Sequence, residues 1–429
     1  MPKALLTCAV LVSLTALTGV VAFVSVNPAT AAPMAISGKS STAPSAPVVL
    51  DRIASDYVDL CLEIDRIDPG FVDSYIGEPE IKRRVAQRAI STPQVLRKRA
   101  ETLATELRDL GPTPADLRTQ SLLKQLGAAE TRLRLISGER VPFDDQLRAL
   151  FDLAPPRPFQ SQDYEPVLAQ LDRLLPPGPG GLAARLDAFH DRYTIRPERV
   201  KACADTIVAD LRSMGRSMLR LPIDEEIDEV RLVTGTSWSA YNWYLGHGHS
   251  RVEVNRDLPL RAHSLVATLA HETYFGHHAE MTLREAELYR GRGWVEYSVY
   301  PLYSPQGVIS EGAANAGIKV LLDDETLGLW LARRVFPSAG LPAALSEPEE
   351  IARLLEIERI QEQLMGLGCQ FAELQLERGA TVDSVVSLRQ RFALQTREQA
   401  RRSIRFARDY GGYACTYGMG ERLVRAACD

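Results

Sequence analysis

The chain has 429 residues, of which 45% are hydrophobic and 24% are charged, and its formal net charge is −5 at pH 7. This length and hydrophobic content are sufficient for a sizeable buried core. The slightly acidic balance excludes a broad basic surface for nucleic acid, and a sequence without internal repeats excludes a solenoid or a propeller.

The N-terminal segment is predicted to direct export. Lys3 precedes an apolar stretch at residues 4–26, and Ala29-Thr30-Ala31 supplies the small-x-small pattern that signal peptidase recognises. We interpret residues 1–31 as a signal peptide that is cleaved off. The alternative is an N-terminal membrane anchor, because the apolar stretch is long enough to span a bilayer. In both cases the rest of the chain is expected outside the cytoplasm, either secreted or periplasmic, with this segment as its sole link to the membrane.

Residues 32–48 are rich in Ser, Pro, Ala and Gly and are predicted to be a flexible linker. Residues 49–429 are expected to form one helical domain. Apolar residues at helical spacing, separated by Pro and Gly, predict its helices. They are residues 50–68, 95–110, 114–136, 200–219, 264–286, 354–374 and 396–409.

Two of these helices have capping signals at their starts. Thr113 is the expected N-cap of the third helix, and Thr396 with Gln399 predicts a capping box in the last. The clear strand signal is the polar–apolar alternation at residues 251–255, with residues 230–234 as its expected partner. The sequence therefore predicts a mainly α fold with a small β-sheet, and not the alternating strands and helices of a doubly wound fold.

Without residues 1–31 the chain keeps five cysteines, which are scattered and include no Cys-x-x-Cys pair. They are Cys61, Cys203, Cys369, Cys415 and Cys428. A structural zinc site made from them is not expected, whereas export permits one or two disulfides whose pairing the sequence does not specify.

The strongest chemical signal is the run His271-Glu272-Thr273-Tyr274-Phe275-Gly276-His277-His278. A His-Glu pair begins the metal-binding helix of many zinc hydrolases, with histidine as ligand and glutamate activating water. In a regular helix His271 and His277 would lie about 9 Å apart along the axis, too far for zinc–nitrogen bonds of about 2.1 Å. Either the helix is distorted or the two histidines do not share a metal. We predict a bulge or kink at Phe275-Gly276, where glycine makes such a distortion least costly. The alternative is that His271 and Glu272 are a half-buried polar pair in a core helix and bind no metal.

This run resembles the signature His-Glu-x-x-x-Gly-His-x-x-Gln of the bacterial family of unknown function 885. The chain differs at Phe275, where the family has proline, and at Glu280, where it has glutamine. Residues 252–255 with Pro259 resemble the strand before the metal helix. Two more stretches match in order. They are Ser310-Glu311-Gly312-Ala313, which resembles a Glu-Gly-Trp element without its tryptophan, and Tyr417-Gly418-Met419-Gly420, which resembles a Tyr-x-x-Gly element.

The resemblance implies a large helical metallopeptidase-like domain, similar to zinc carboxypeptidases and related gluzincins, with the β-sheet next to the metal-site helix. His271, His277 and Glu311 would bind one Zn²⁺ per chain, which leaves a coordination position for water. Glu272 would be the general base and then the acid, and Tyr417 would donate a hydrogen bond to the developing oxyanion. The strand at residues 251–255 would pair with an extended substrate.

Other polar residues are less specific. His278 could support a ligand, replace one or lie at the surface, and Gly246-His247-Gly248-His249 is interpreted as a turn or loop. His190 and His263 are expected to be structural or exposed. Tyr413 is four residues from Tyr417 and could share its face of a helix. Five arginines are interpreted as a solvated helix face. They are Arg397, Arg401, Arg402, Arg405 and Arg408.

The function predicted from sequence is an exported zinc-dependent hydrolase, a peptidase that cleaves short peptides. One alternative is a catalytically inactive extracytoplasmic binding protein, which the departures at Phe275, Glu280 and Ala313 keep open. Another is a metal-dependent amidase or esterase with a non-peptide substrate. The expected partner is a peptide or a small molecule, with no nucleic acid.

Overall fold

The computed structural model describes residues 46–428 except residues 112, 114, 115, 237 and 258. The predicted signal peptide and residues 32–45 of the predicted linker lie outside this range. Among the helices that are described, none is both long enough and apolar enough to cross a membrane.

Helices make up most of the described chain. They are α1 (Ala46–Asp65), α2 (Pro79–Gln87), α3 (Pro93–Asp109), α4 (Leu117–Ile136), α5 (Phe143–Phe151), α6 (Glu165–Leu174), α7 (Leu182–Asp191), α8 (Val200–Met218), α9 (Ala262–Glu272), α10 (His277–Arg284), α11 (Pro305–Leu321), α12 (Asp324–Trp330), α13 (Phe336–Ala339), α14 (Pro348–Gln361), α15 (Leu367–Leu376), α16 (Val382–Phe392), α17 (Arg397–Tyr410) and α18 (Thr416–Cys428). π-Helical turns at Glu285–Arg290 and Leu331–Val335 extend α10 and α12.

Five strands within the described residues form two small sheets. They are β1 (Val72–Tyr75), β2 (Glu226–Val233), β3 (Ala240–Gly246), β4 (His249–Asn255) and β5 (Val299–Pro301). The first and last pair antiparallel, and the other three form a sheet in the order β2-β4-β3. The prediction of a mainly α fold with a small β-sheet is confirmed.

Strand β4 lies in the centre of its sheet, parallel to β2 and antiparallel to β3. The predicted pairing of residues 251–255 with residues 230–234 is therefore confirmed. The expectation that residues 251–255 bind an extended substrate is wrong, because both edges of β4 are already hydrogen-bonded within the sheet. The sequence did not predict β3, whose residues alternate between buried and more exposed positions, as in a strand with one buried face.

Most helix predictions are confirmed, including the capping box of Thr396 and Gln399 at α17. Helix α4 begins at Leu117 rather than near Thr113, because the Asp116 side chain accepts the N–H of Thr119 and caps it. The predicted helix at residues 354–374 is two helices, α14 and α15. They are separated by residues 362–366, a break that ends in a glycine, which disfavours helix continuation.

Two large clusters of buried apolar side chains form most of the core of the described chain. One lies among the N-terminal helices α1, α3, α4 and α5, and the other extends from α6 through α9 to α17. Helix α11 joins them, because its residue Val308 belongs to the first cluster and Ile318 to the second. Glu311 lies between these two positions, so it is placed where the two halves of the core meet.

Candidate metal centre

The helix break predicted between His271 and His277 is present. Helix α9 ends at Glu272 and α10 begins at His277, with a turn in which the Gly276 N–H donates to the Thr273 carbonyl. A β-carbon at Gly276 would lie 1.8 Å from the His271 carbonyl oxygen, so only glycine fits there. The break brings the two imidazole centroids to 4.6 Å, instead of the separation of about 9 Å along a continuous helix.

Glu311 reaches these histidines on α11, which crosses α18 in backbone contact. A β-carbon at Gly312 would lie 2.4 Å from the backbone of Gly420, so each helix needs a glycine at the crossing. Glu311 directly precedes one of these glycines, and Tyr417 lies one helical turn before the other. The crossing therefore accounts for the glycines of the Glu-Gly and Tyr-x-x-Gly elements and delivers both side chains to one place.

Three ligand atoms converge at this point. Oε2 of Glu311 is 3.4 Å from Nε2 of His271 and 3.8 Å from Nε2 of His277, and all three residues offer atoms within 4.8 Å of one another. This carboxylate oxygen is buried and makes no well-directed hydrogen bond within the described chain. Since burying an unpaired carboxylate oxygen costs free energy, two imidazoles and a carboxylate in this arrangement fit a divalent metal ion.

Each imidazole is oriented by a neighbour on α11. Nδ1 of His271 lies 2.9 Å from Oδ1 of Asn315, and Nδ1 of His277 lies 3.2 Å from the hydroxyl oxygen of Ser310. A carbonyl oxygen can only accept, so Nδ1 of His271 carries a proton, and once the ring is neutral its Nε2 lone pair faces the cluster. Such contacts fix the ring and the tautomer of a metal-binding histidine.

Two tyrosines lie beside the cluster. The Tyr413 hydroxyl donates to Oε1 of Glu311 at 2.5 Å, which leaves Oε2 directed at the histidines. The ring of Tyr417 lies 6.5 Å from that of His271 and nearly parallel to it. Burial raises the pKa of Tyr417 well above its usual value, so its hydroxyl keeps a proton that it can donate.

The two histidines differ in their affinity for protons. Burial acts to lower the pKa of His271, but the Glu311 and Glu272 carboxylates outweigh it and raise this pKa to about 9. Burial lowers the pKa of His277 to about 4, and the nearby charge of His271 reinforces the effect. The cluster thus favours one positive charge beside Glu311, which a metal ion can provide in place of a proton.

Glu272 is placed to exchange a proton near neutral pH. Burial raises its pKa to about 7, and the Glu311 and Asp73 carboxylates add to the effect of burial. Asp73, on β1, accepts a hydrogen bond from the Tyr241 hydroxyl on β3, and burial raises its pKa to about 6. A carboxyl group with a pKa near 7 is suited to take up and release protons during a reaction.

The remaining candidates lie elsewhere. His278 is fully buried, with Nε2 3.2 Å from Glu225 and Nδ1 2.9 Å from the Ser250 hydroxyl, so it is a structural residue outside the cluster. His247 lies in the turn between β3 and β4, and the predicted arginine face of α17 is mostly exposed. His190 and His263 are both buried and lie beside each other.

Four residues of the site were not predicted to act there. Ser310 and Asn315 flank Glu311 on α11, and their polar side chains in an apolar helix were the available signal. Tyr413 was noted only as a neighbour of Tyr417. Asp73 gave no signal, because it lies 198 residues before His271 in sequence and reaches the site only through strand pairing.

The comparisons with known proteins identify no family. No family model and no curated protein match the chain. Among solved structures, the chain is similar to a "putative lipoprotein" from Colwellia psychrerythraea, with TM-score 0.44 and 15% identity over 77% of this chain and 62% of that one. A "putative lipoprotein of unknown function" from Shewanella oneidensis gives TM-score 0.39 and 13% identity over 80% and 68%. The chain thus spans less than two thirds of the first protein, and membership of family 885 stays a prediction.

Proposed function

We propose that the protein is an exported metal-dependent hydrolase that uses zinc to cleave peptide bonds in short peptides. The observation that carries this proposal is the convergence of His271, His277 and Glu311 around a buried carboxylate oxygen that has no hydrogen-bond partner within the described chain. Two imidazoles and one carboxylate suit zinc, and three protein ligands are the number found in catalytic zinc sites.

A zinc ion held by these residues would polarise the scissile carbonyl and acidify water. Side chains of the protein would carry out the proton transfer, stabilise the oxyanion and orient the ligands. Glu272 accepts the proton of the attacking water and later gives it to the leaving amine, for which a pKa of about 7 is favourable. Tyr417 keeps its hydroxyl proton and donates a hydrogen bond to the oxyanion. Asn315 and Ser310 hold the imidazoles in position.

Access to the cluster supports small or extended substrates. The His271 and His277 side chains are only 17% and 12% exposed, and Glu311 is 6% exposed. A folded protein surface cannot reach groups that are buried to this extent, which favours a single extended peptide or a small molecule as the substrate.

Export is supported by a disulfide between Cys369 and Cys415. Disulfides form and persist in oxidising compartments and are rare in the cytosol. This pairing also answers the question that the scattered cysteines left open, whereas the buried Cys61 and Cys203 form no disulfide in the described chain.

The test is hydrolysis of a mixed library of short peptides by the zinc-loaded protein, read by mass spectrometry. Glu272→Gln should abolish cleavage while zinc content and circular dichroism stay unchanged. The matched control is Glu287→Gln, an exposed glutamate beyond α10, which should retain full activity. Equal activity in Glu272→Gln and the wild type would refute the assigned role of Glu272.

The same assay separates the two alternatives. Cleavage of amide or ester substrates that are not peptides, with no cleavage of peptides, would favour the amidase or esterase. A protein that binds zinc and peptides tightly but cleaves nothing would favour the binding protein.

A further inference from the structure

A second group of potential metal ligands lies apart from the site described above. It consists of His190 near the end of α7, His263 at the start of α9 and Glu358 on α14, whose ligand atoms lie within 4.8 Å of one another. Nε2 of His190 is 2.9 Å from Oε1 of Glu358, and Nε2 of His263 is 3.6 Å from the same oxygen. The two imidazole centroids are 4.9 Å apart.

Several polar atoms in or beside this group are buried and have no hydrogen-bond partner among the described residues. They are Nε2 of His190, Nδ1 of His263, Oε1 of Glu358 and the hydroxyl oxygen of the adjacent Tyr193. The two histidines are 7% and 8% exposed, so water does not compensate them freely. Nε2 of His190 and Oε1 of Glu358 are close enough for a hydrogen bond, but they are not aligned for a proton to lie on the line between them. The unpaired Nε2 of His190 and Oε1 of Glu358, with Nε2 of His263 beside them, point to a bound cation that accepts their lone pairs.

We propose that His190, His263 and Glu358 bind a second divalent metal ion, such as zinc, which links α7, α9 and α14. The ligand set has the same chemistry as the first cluster, two imidazoles and one carboxylate. Glu358 has a 40% exposed side chain, so the site opens to solvent on the α14 side and an ion can enter there.

The two sites are separate and not one dinuclear centre. His263 and His271 lie on the same helix, eight residues and therefore about 12 Å apart along its axis, whereas the metals of dinuclear sites are about 3.5–4 Å apart. The second ion would hold the N-terminal end of α9, whose C-terminal end carries the first site. Its role is to anchor the helix that positions His271.

The test measures zinc per chain after equilibration with excess zinc and removal of free metal. The wild type should bind two ions, His271→Ala one, Glu358→Gln one, and the combined variant none. Glu356→Gln is the matched control, because it removes a carboxylate from the same helix that pairs only with Arg359 within the described chain; it should keep two ions. His263→Gln should also bind one ion. The same loss in two different variants would show that it does not come from misfolding of one of them.

Cobalt gives a second readout on the His271→Ala background. Bound Co²⁺ should show the visible absorption of a four- or five-coordinate N/O site, and Glu358→Gln should abolish it. Zinc should also raise the melting temperature of His271→Ala but not that of the combined variant.

The zinc content of the variants distinguishes the two proposed sites. One ion in the wild type and none in folded His271→Ala would overturn the second site and leave the proposed hydrolase intact. One ion in the wild type and one in His271→Ala, with none in Glu358→Gln, would support the second site and contradict the catalytic one. Unchanged zinc content in Glu358→Gln and His263→Gln would also overturn the second site.

Discussion

At the scale of single residues, the proposed chemistry depends on atoms that direct the ligands. The imidazole of His271 can present Nε2 to a metal only while Nδ1 keeps its proton, and the Asn315 carbonyl oxygen enforces that tautomer. Glu311 similarly presents Oε2 because Tyr413 occupies Oε1. Residues that never touch the ion therefore decide whether the cluster can hold it.

Asn315 gives the sharpest prediction at this scale. Asn315→Leu removes the acceptor for Nδ1 of His271, and zinc affinity should fall by about 10–100-fold, as for other residues that orient a metal-binding histidine. Competition with a chromogenic chelator measures the change. Asn315→Asp keeps an acceptor and should bind zinc as tightly as the wild type or more tightly, so equal losses in both variants would contradict an orienting role.

The buried Glu225 should make the free energy of unfolding depend on pH. Burial acts to raise its pKa, but His278, Arg216 and Arg212 outweigh it and lower the pKa below its usual range. An acid with a lowered folded pKa adds stability above its unfolded pKa of about 4.3 and loses it as pH falls through the folded value. Glu225→Gln should therefore lower the free energy of unfolding by about 3 kcal/mol at pH 7, because the carboxylate is fully buried and its partners lose their counterion.

Urea unfolding at pH 7 and pH 3 checks this result, and the deficit of Glu225→Gln should shrink at the lower pH. Glu229→Gln is the control, since Glu229 forms an exposed pair with Arg231 and its loss should change stability little. A deficit that is independent of pH would show that Glu225 does not act through its charge.

At the scale of elements, the site is made by one helix break and one helix crossing. The break after α9 sets the spacing of His271 and His277, and the crossing of α11 with α18 brings Glu311 and Tyr417 to them. Both features rely on glycine, because a β-carbon would collide with backbone at Gly276, Gly312 or Gly420.

The helix crossing can be tested by adding a methyl group. Gly312→Ala should destabilise the protein by about 1–3 kcal/mol through overpacking and should weaken zinc binding, because the shift displaces Glu311. Thermal unfolding and chelator competition measure the two effects. Gly127→Ala, in α4 with open space around it, should instead stabilise by about 0.5–1 kcal/mol. No loss of zinc affinity in Gly312→Ala would count against the crossing as the element that positions Glu311.

At the scale of the whole molecule, the Cys369–Cys415 disulfide links α15 to the turn that precedes α18. It closes a segment of 46 residues and holds the turn that carries Tyr413. Cys369→Ser with Cys415→Ser should lower the free energy of unfolding by about 2–4 kcal/mol. Urea unfolding compares this variant with Cys61→Ser, whose thiol forms no disulfide with any cysteine of the described chain. A transition unchanged by loss of the disulfide, in the oxidised protein, would contradict this prediction.

How far the sequence predicted this arrangement depends on the range of each interaction. Helices at residues 50–68 and 95–110 could be predicted because their signals are local, and the break at Gly276 could be predicted because metal bonds are short. The strand at residues 240–246 and the position of Asp73 could not, since pairing partners distant in sequence determine both. The prediction that residues 251–255 pair with substrate was wrong for the same reason, because β3 occupies the edge that was expected to be free.

The most direct test of the proposed metal centre is anomalous diffraction at the zinc edge from crystals grown with zinc. We predict a peak about 2.1 Å from Nε2 of His271, Nε2 of His277 and Oε2 of Glu311. A map without a peak among these three residues, in crystals that hold zinc elsewhere or were supplied with it in excess, would contradict the metal centre and the hydrolase built on it.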